Sequence, residues 1–140
     1  MKTELIAPCG MNCNVCSAYL AYERDLPKRK GNVKCIGCRP RNKQCAFVKK
    51  RCGDRLMKNQ VRYCFECEKF PCEAIEKINT KYVNRWDTSF IENLKFIKKH
   101  GEKKFLASEK KKWKCKKCGG TISIHNGKCY DHEHIETWRE

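Results

Sequence analysis

Thirteen cysteines in a chain of 140 residues dominate its chemistry. They stand as Cys9, Cys13 and Cys16, then Cys35 and Cys38, then Cys45 and Cys52, then Cys64, Cys67 and Cys72, and last Cys115, Cys118 and Cys129. Four pairs have the CxxC spacing: Cys13/Cys16, Cys35/Cys38, Cys64/Cys67 and Cys115/Cys118. That spacing lets two thiolates reach one metal from a single tight turn. Disulfides are the competing chemistry. MKTELIAPCG has no apolar run to serve as signal peptide or membrane span, so the expected setting is cytoplasmic, without a membrane and with reduced thiols. An odd cysteine count also fits a closed disulfide framework poorly. The expected cofactor is therefore zinc, two to three ions, with an iron–sulfur cluster at the N-terminal cysteines as the alternative.

Cys115-x2-Cys118 followed by Cys129-x2-His132 is a zinc-ribbon pattern. Two short turns each offer two ligands, and a hairpin between them brings the turns together. Gly119 suits a knuckle in which backbone N–H groups point at sulfur. His125 and His134 compete with His132 for the fourth position. His125 reads as an exposed hairpin residue, and His134 needs a longer reach.

The ten N-terminal cysteines allow two four-thiolate sites with two thiols left over. One would join Cys13 and Cys16 to Cys35 and Cys38, with Gly37 forming a knuckle. The other would use Cys64, Cys67 and Cys72, plus Cys45 or Cys52. On one unbroken helix, Cys45 and Cys52 would stand about 10 Å apart along the axis. Tetrahedral zinc holds its sulfurs within about 4 Å of one another, so both serve one zinc only if the helix breaks. Buried free cysteine is the competing fate of Cys9, Cys45 and Cys52. Cys9-x3-Cys13-x2-Cys16 has the spacing of radical S-adenosylmethionine enzymes, but nothing here supplies their strand–helix repeats.

These ligands need elements to place them. SAYLAYERDL after Cys16 has helical spacing, with Tyr19, Leu20 and Tyr22 to bury, closed by Pro27 and Gly31. CAFVKKRCGDRLMKN reads as a helix that Gly53 ends or breaks, and Pro71 introduces a helix over EAIEKINTKYV. Ser89 and Glu92 fit a capping box before a stripe of Phe90, Ile91, Leu94, Phe96 and Ile97, with Gly101 as the stop. GEKKFLASEKKKW is a second, weaker helix. TISIH alternates like a strand, and Asn126-Gly127 signals a hairpin. The tail from Asp131 to Glu140 is net acidic and is expected either to fray or to fold back on basic surface. The expected fold is a small metal-stabilised α+β protein. Short helices surround an irregular cysteine-rich region, 1–78; a helical segment, 79–112, packs on it; and 113–140 form a zinc-ribbon hairpin unit with the tail.

The formal charge is +16. Two four-thiolate zinc sites, about −2 each, and one three-thiolate, one-histidine site, about −1, bring it to roughly +11, which still attracts polyanions. Lysines cluster from Lys95 to Lys117, with Phe105 and Trp113 interleaved. Lys110, Lys111, Lys112, Lys114 and Trp113 are the candidate nucleic-acid contacts, through phosphate charge and base stacking. The competing reading is a solvated helix face with Phe105 and Trp113 in the core.

Three uses follow. The first is a zinc-binding adaptor that contacts nucleic acid or an acidic protein. The second is an iron–sulfur or thiol redox protein, with Cys9 beside Gly10 as the candidate thiol. The third, a zinc enzyme, is weakest. The chain has four histidines, no HExxH, no Gly-rich phosphate loop and no Ser-His-Asp setting.

Ala-Pro-Cys9-Gly10-Met-Asn-Cys13-Asn-Val-Cys16, Cys35-Ile-Gly-Cys38 and Cys64-Phe-Glu-Cys67-Glu-Lys-Phe70-Pro71-Cys72 together resemble a prokaryotic family, the domain of unknown function 3795 family. The resemblance covers residues 5 to about 78. It implies that Cys9, Cys45, Cys52 and Cys72 belong to the family's cysteine pattern and that the protein is bacterial or archaeal and cytoplasmic. It implies no activity.

Overall fold

The computed structural model describes residues 1–27, 33–43, 52 and 55–136. Among these, four α-helices and three 3-10 turns carry the regular structure: α1 (Ser17–Glu23), α2 (Glu73–Trp86), α3 (Phe90–His100) and α4 (Glu102–Lys112), with turns at Thr3–Leu5, Cys13–Val15 and Cys64–Glu66. The protein is small and mostly helical, and its β-structure among the described residues is limited to isolated bridges.

The helix starts follow their local chemistry. Ser89 Oγ accepts the Glu92 N–H at 3.1 Å, satisfying a donor that the first turn of α3 leaves open. Glu92 does not close the box; its carboxylate pairs with Lys95 at 2.8 Å. Asn79 on α2 locks the junction instead, accepting from Ser89 Oγ at 3.0 Å and from the Ile91 N–H at 3.1 Å. Gly101, at φ +85°, stops α3 and lets α4 begin at the next residue. Pro71 lies outside α2, before the N-cap Cys72, and follows a cis peptide bond from Phe70. The expected helix over 45–59 lies largely outside the described residues, as do Cys45, Gly31 and Gly53.

The apolar stripes are narrower than their sequence suggests. Helix α3 buries Phe90, Leu94 and Ile97, while Phe96 is turned to the surface. Helix α1 buries Tyr19 and Leu20, but Tyr22 is about half exposed at 49%. It ends at Glu23, because Asp25 takes a left-handed φ of +46° and the Leu26 N–H returns to Ala21 O.

One core joins the first turns (Leu5, Ile6, Val15) to Leu56, Ile75, Phe90, Leu94, Phe105 and Ile124. A smaller cluster joins Leu20 and Ala21 of α1 to Tyr130 and Ile135 near the C-terminus. Among the described residues, the N-terminal turns, α2, α3, α4 and the C-terminal segment therefore share apolar contacts. Phe90 is the largest of the fully buried side chains, at 1% exposure. Replacing it with alanine should cost about 3–5 kcal/mol in urea unfolding, from lost transfer energy plus the cavity left behind.

In the C-terminal segment the pairing expected of a hairpin is confined to short bridges. Antiparallel bridges join Lys114 to Thr121 and Ile122 to Cys129, and no strand extends from them. Ser123 and Ile124 are both buried, so TISIH does not alternate. The reason is tertiary. The Ser123 N–H pairs with Lys128 O at 2.9 Å and the Tyr130 N–H with Thr121 O at 3.2 Å, but the Ile124 N–H turns away to the N-terminal turn, donating to Val15 O at 3.0 Å.

Candidate metal centre

Two backbone turns aim four ligand atoms at one point. The Gly119 N–H returns to Cys115 O at 2.9 Å, in a turn that needs the Gly119 φ of +77°. Inside it, the Cys118 and Lys117 N–H groups donate to the Cys115 thiol. The Gly120 N–H donates to Cys118 Sγ at 3.3 Å, and the Asp131 N–H serves Cys129. Every thiol of the group thus meets a backbone donor, the surroundings that stabilise thiolate sulfur. Cys118 Sγ lies 3.5 Å from Cys129 Sγ and 3.1 Å from His132 Nδ1, and Cys115 Sγ lies 3.9 Å from that nitrogen. The ligand atoms of Cys115, Cys118, Cys129 and His132 all fall within 4.8 Å of one another.

The thiols are not equivalent. Backbone donors hold Cys115 below the ordinary thiol value, while burial pushes Cys129 above it. His132 presents Nδ1 to the sulfurs and leaves Nε2 facing the Glu133 carboxylate at 3.8 Å. A carboxylate on the far ring nitrogen orients a ligating histidine and raises its basicity. Asp131 braces the turn. It accepts the Thr121 N–H at 2.8 Å and the Arg24 Nε–H at 2.8 Å, and the Arg24 bond holds its carboxyl below the usual range. The acidic tail thus meets basic surface through its first residue. Any side chain at Gly120 would collide with Asp131, whose Oδ2 lies 2.2 Å from the Cβ position.

The other two candidates for the fourth ligand lie elsewhere. His134 is exposed and faces Glu136. His125 is not an exposed hairpin residue; it is half-buried where three elements meet. Its Nδ1 accepts the Ser17 N–H at 3.2 Å, which leaves the ring proton on Nε2, 3.1 Å from Tyr82 Oη. Trp86 packs edge-on against the ring and donates its indole N–H to His125 O at 3.0 Å. His125 therefore docks the C-terminal unit on α1 and α2. Only the Tyr82/Trp86 pair at helical spacing hinted at an aromatic platform, and nothing local tied it to residue 125.

Among the described residues, the Cys3His group is the one set of three or more candidate ligands within that spacing. Cys9, Cys13 and Cys38 are buried, Cys16, Cys35, Cys52, Cys64 and Cys67 are half-buried, and Cys72 is exposed. Cys35 Sγ accepts the Gly37 N–H at 3.4 Å and Arg41 Nη1 at 3.5 Å. Gly37 has φ +102° and Leu5 Cδ2 lies 2.5 Å from its Cβ position, so that knuckle admits no side chain. The Cys35 N–H donates to Ala18 O at 3.0 Å, bringing CIGC beside the first turn of α1 that Cys16 caps.

Lys110, Lys111, Lys112 and Lys114 are all exposed. Their aromatic neighbours are mostly occupied. Phe105 is in the core, and Trp113 donates its indole N–H to the buried Glu109 carboxylate at 3.1 Å, with Lys112 Nζ 5.1 Å from its ring. Glu109 also accepts from Asn12 Nδ2 at 3.0 Å, a link between α4 and the Cys13 turn that the sequence does not signal.

Fold and site together define a small, mostly helical, cysteine-rich protein whose Cys3His cluster could bind a metal ion. Residues 5–77 match the family model described as Protein of unknown function (DUF3795), and the chain belongs to that family. Comparison with curated proteins and with solved structures gave no significant match. Among the described residues, no helix is long and apolar enough to cross a membrane.

Proposed function

We propose that Cys115, Cys118, Cys129 and His132 hold a structural zinc ion, and that the protein is a binding module whose lysine-rich face contacts nucleic acid. The convergence of the four ligand atoms within 4.8 Å carries the first half. Three sulfurs and one imidazole are the donor set of closed structural sites, and backbone N–H groups already serve the sulfurs. A closed set leaves no open position for substrate, which favours binding over catalysis.

The exposed lysines of α3, α4 and the Cys115–Cys118 turn support the second half. Lys98, Lys99, Lys103, Lys104, Lys110, Lys111, Lys112, Lys114, Lys116 and Lys117 all face solvent. With Phe105 buried and Trp113 engaged, affinity would come from phosphate contacts more than from base stacking. Replacing Lys110, Lys111 and Lys112 together by alanine should weaken oligonucleotide binding and flatten the slope of log K against log salt by about 2–3 units. Fluorescence anisotropy across a salt series measures both. Absence of binding by the unaltered protein at low salt overturns this reading.

A further inference from the structure

We propose that the groove between α3 and α4 takes one guanine base of a single-stranded nucleic acid. This rests on the nucleic-acid reading above and adds a base site to the phosphate contacts. The groove has a volume of about 360 Å³, the size of a small-ligand site. Rings, an acceptor and lysines line it, and each has a separate part in holding a nucleotide.

Helix α3 supplies the rings. Phe96 and His100 stand one turn apart, with ring centroids 4.6 Å from each other, and both are exposed. Buried Phe105 of α4 packs on Phe96 from the other helix, its centroid 6.3 Å away. Phe105 thus steadies Phe96, and Phe96 with His100 offers a surface on which a base can stack. This is the stacking surface that Phe105 and Trp113 do not themselves provide.

Glu109 supplies the acceptor. It is only 8% exposed, and both its donors, Asn12 Nδ2 at 3.0 Å and Trp113 Nε1 at 3.1 Å, fall on Oε2. Among the described residues nothing donates to Oε1, yet no buried side-chain polar atom is left unsatisfied. Oε1 therefore keeps access to solvent, and the groove is the surface that Glu109 lines. With Oε2 tied down, Oε1 is a fixed acceptor for a ligand N–H. Guanine suits it best, because its pairing edge carries adjacent N1–H and 2-amino donors. In uracil and thymine the ring N–H lies between two carbonyl oxygens, which a carboxylate repels. In adenine and cytosine the amino group lies beside a ring nitrogen that is itself an acceptor.

Charge separates the base from its phosphates. Inside the groove Lys95 and Lys99 are matched by Glu92, which pairs with Lys95 at 2.8 Å, and by Glu109. Outside it, Lys98, Lys103, Lys104 and Lys110 are exposed on the same two helices. Phosphates flanking an inserted base would meet lysine, while the balanced groove itself draws no phosphate.

The test uses full-length protein purified without oxygen and two fluorescent oligothymidines, alike except that one carries a central guanine. Anisotropy at low salt should show the guanine oligonucleotide binding about 5- to 100-fold tighter. Glu109→Gln keeps an oxygen for Asn12 and Trp113 but puts an amide N–H2 in place of Oε1, so it should erase that preference. Phe96→Ala alters an exposed position and should weaken the guanine oligonucleotide about tenfold, with the salt slope kept. It decides the matter if Glu109→Gln misfolds. Equal binding of the two oligonucleotides by the unaltered protein overturns the groove assignment and leaves the lysine face standing. A guanine preference undiminished in Phe96→Ala overturns it as well. Absence of binding to either oligonucleotide overturns both readings.

Discussion

Removing metal from the Cys3His group should release residues 113–136 while α2 and α3 stay folded. The unit has little else to hold it. Its β-structure is two isolated bridges, and Ile124, Tyr130 and Ile135 are its main buried apolar side chains. Structural zinc in comparable small units is worth about 10–16 kcal/mol of apparent binding energy, far more than those side chains supply. What remains after metal loss is the docking: Ile124 N–H to Val15 O, His125 to Ser17, and the Arg24–Asp131 pair. Each alone is worth about 0.5–3 kcal/mol. Hydrogen exchange should therefore show the amides of 113–136 losing protection on chelation, with those of Phe90–His100 little changed. Trp86, whose indole bonds His125 O, gives a fluorescence readout of the same release.

The second large effect belongs to Gly10. Its φ is +87°, and a Cβ there would lie 2.6 Å from Phe90 O and 2.9 Å from Leu94 Cγ. Phe90 O belongs to the first turn of α3 and cannot move aside without breaking the helix start. Gly10 O meanwhile accepts Asn93 Nδ2 at 2.9 Å, so the two segments are fixed on both sides. Backbone strain of about 1–3 kcal/mol and overpacking of similar size add, so Gly10→Ala should cost about 3–5 kcal/mol. Gly127 is the control. It has φ +65° with nothing within 4 Å of its Cβ position, and its replacement should carry the strain alone. Urea unfolding of the two variants separates the terms; equal costs would mean the close approach to α3 is not tight.

These effects divide along the same line as the legibility of the sequence. The Cys115/Cys118/Cys129/His132 set was readable because its ligands fall in two short local turns whose spacing is itself the signal. The Ser89 cap and the Gly101 stop were readable for the same reason. His125, Tyr22 and Phe96 were not, because long-range packing decided their positions. His125 is held by residues more than forty positions away or nearer the other end of the chain, Ser17 and Tyr82. The sequence of residues 121–125 has a strand's alternation, yet Ser123 and Ile124 are both buried and the Ile124 N–H bonds Val15 O.

The central claim is that Cys115, Cys118, Cys129 and His132 hold a structural zinc. Elemental analysis of anaerobically purified protein, with and without Cys118→Ala plus His132→Ala, tests it most directly. Both residues are exposed, so their removal spares the core. Zinc should be present in the unaltered protein, with one equivalent less in the double variant. A metal-free protein, or a double variant with its zinc content unchanged, would contradict it.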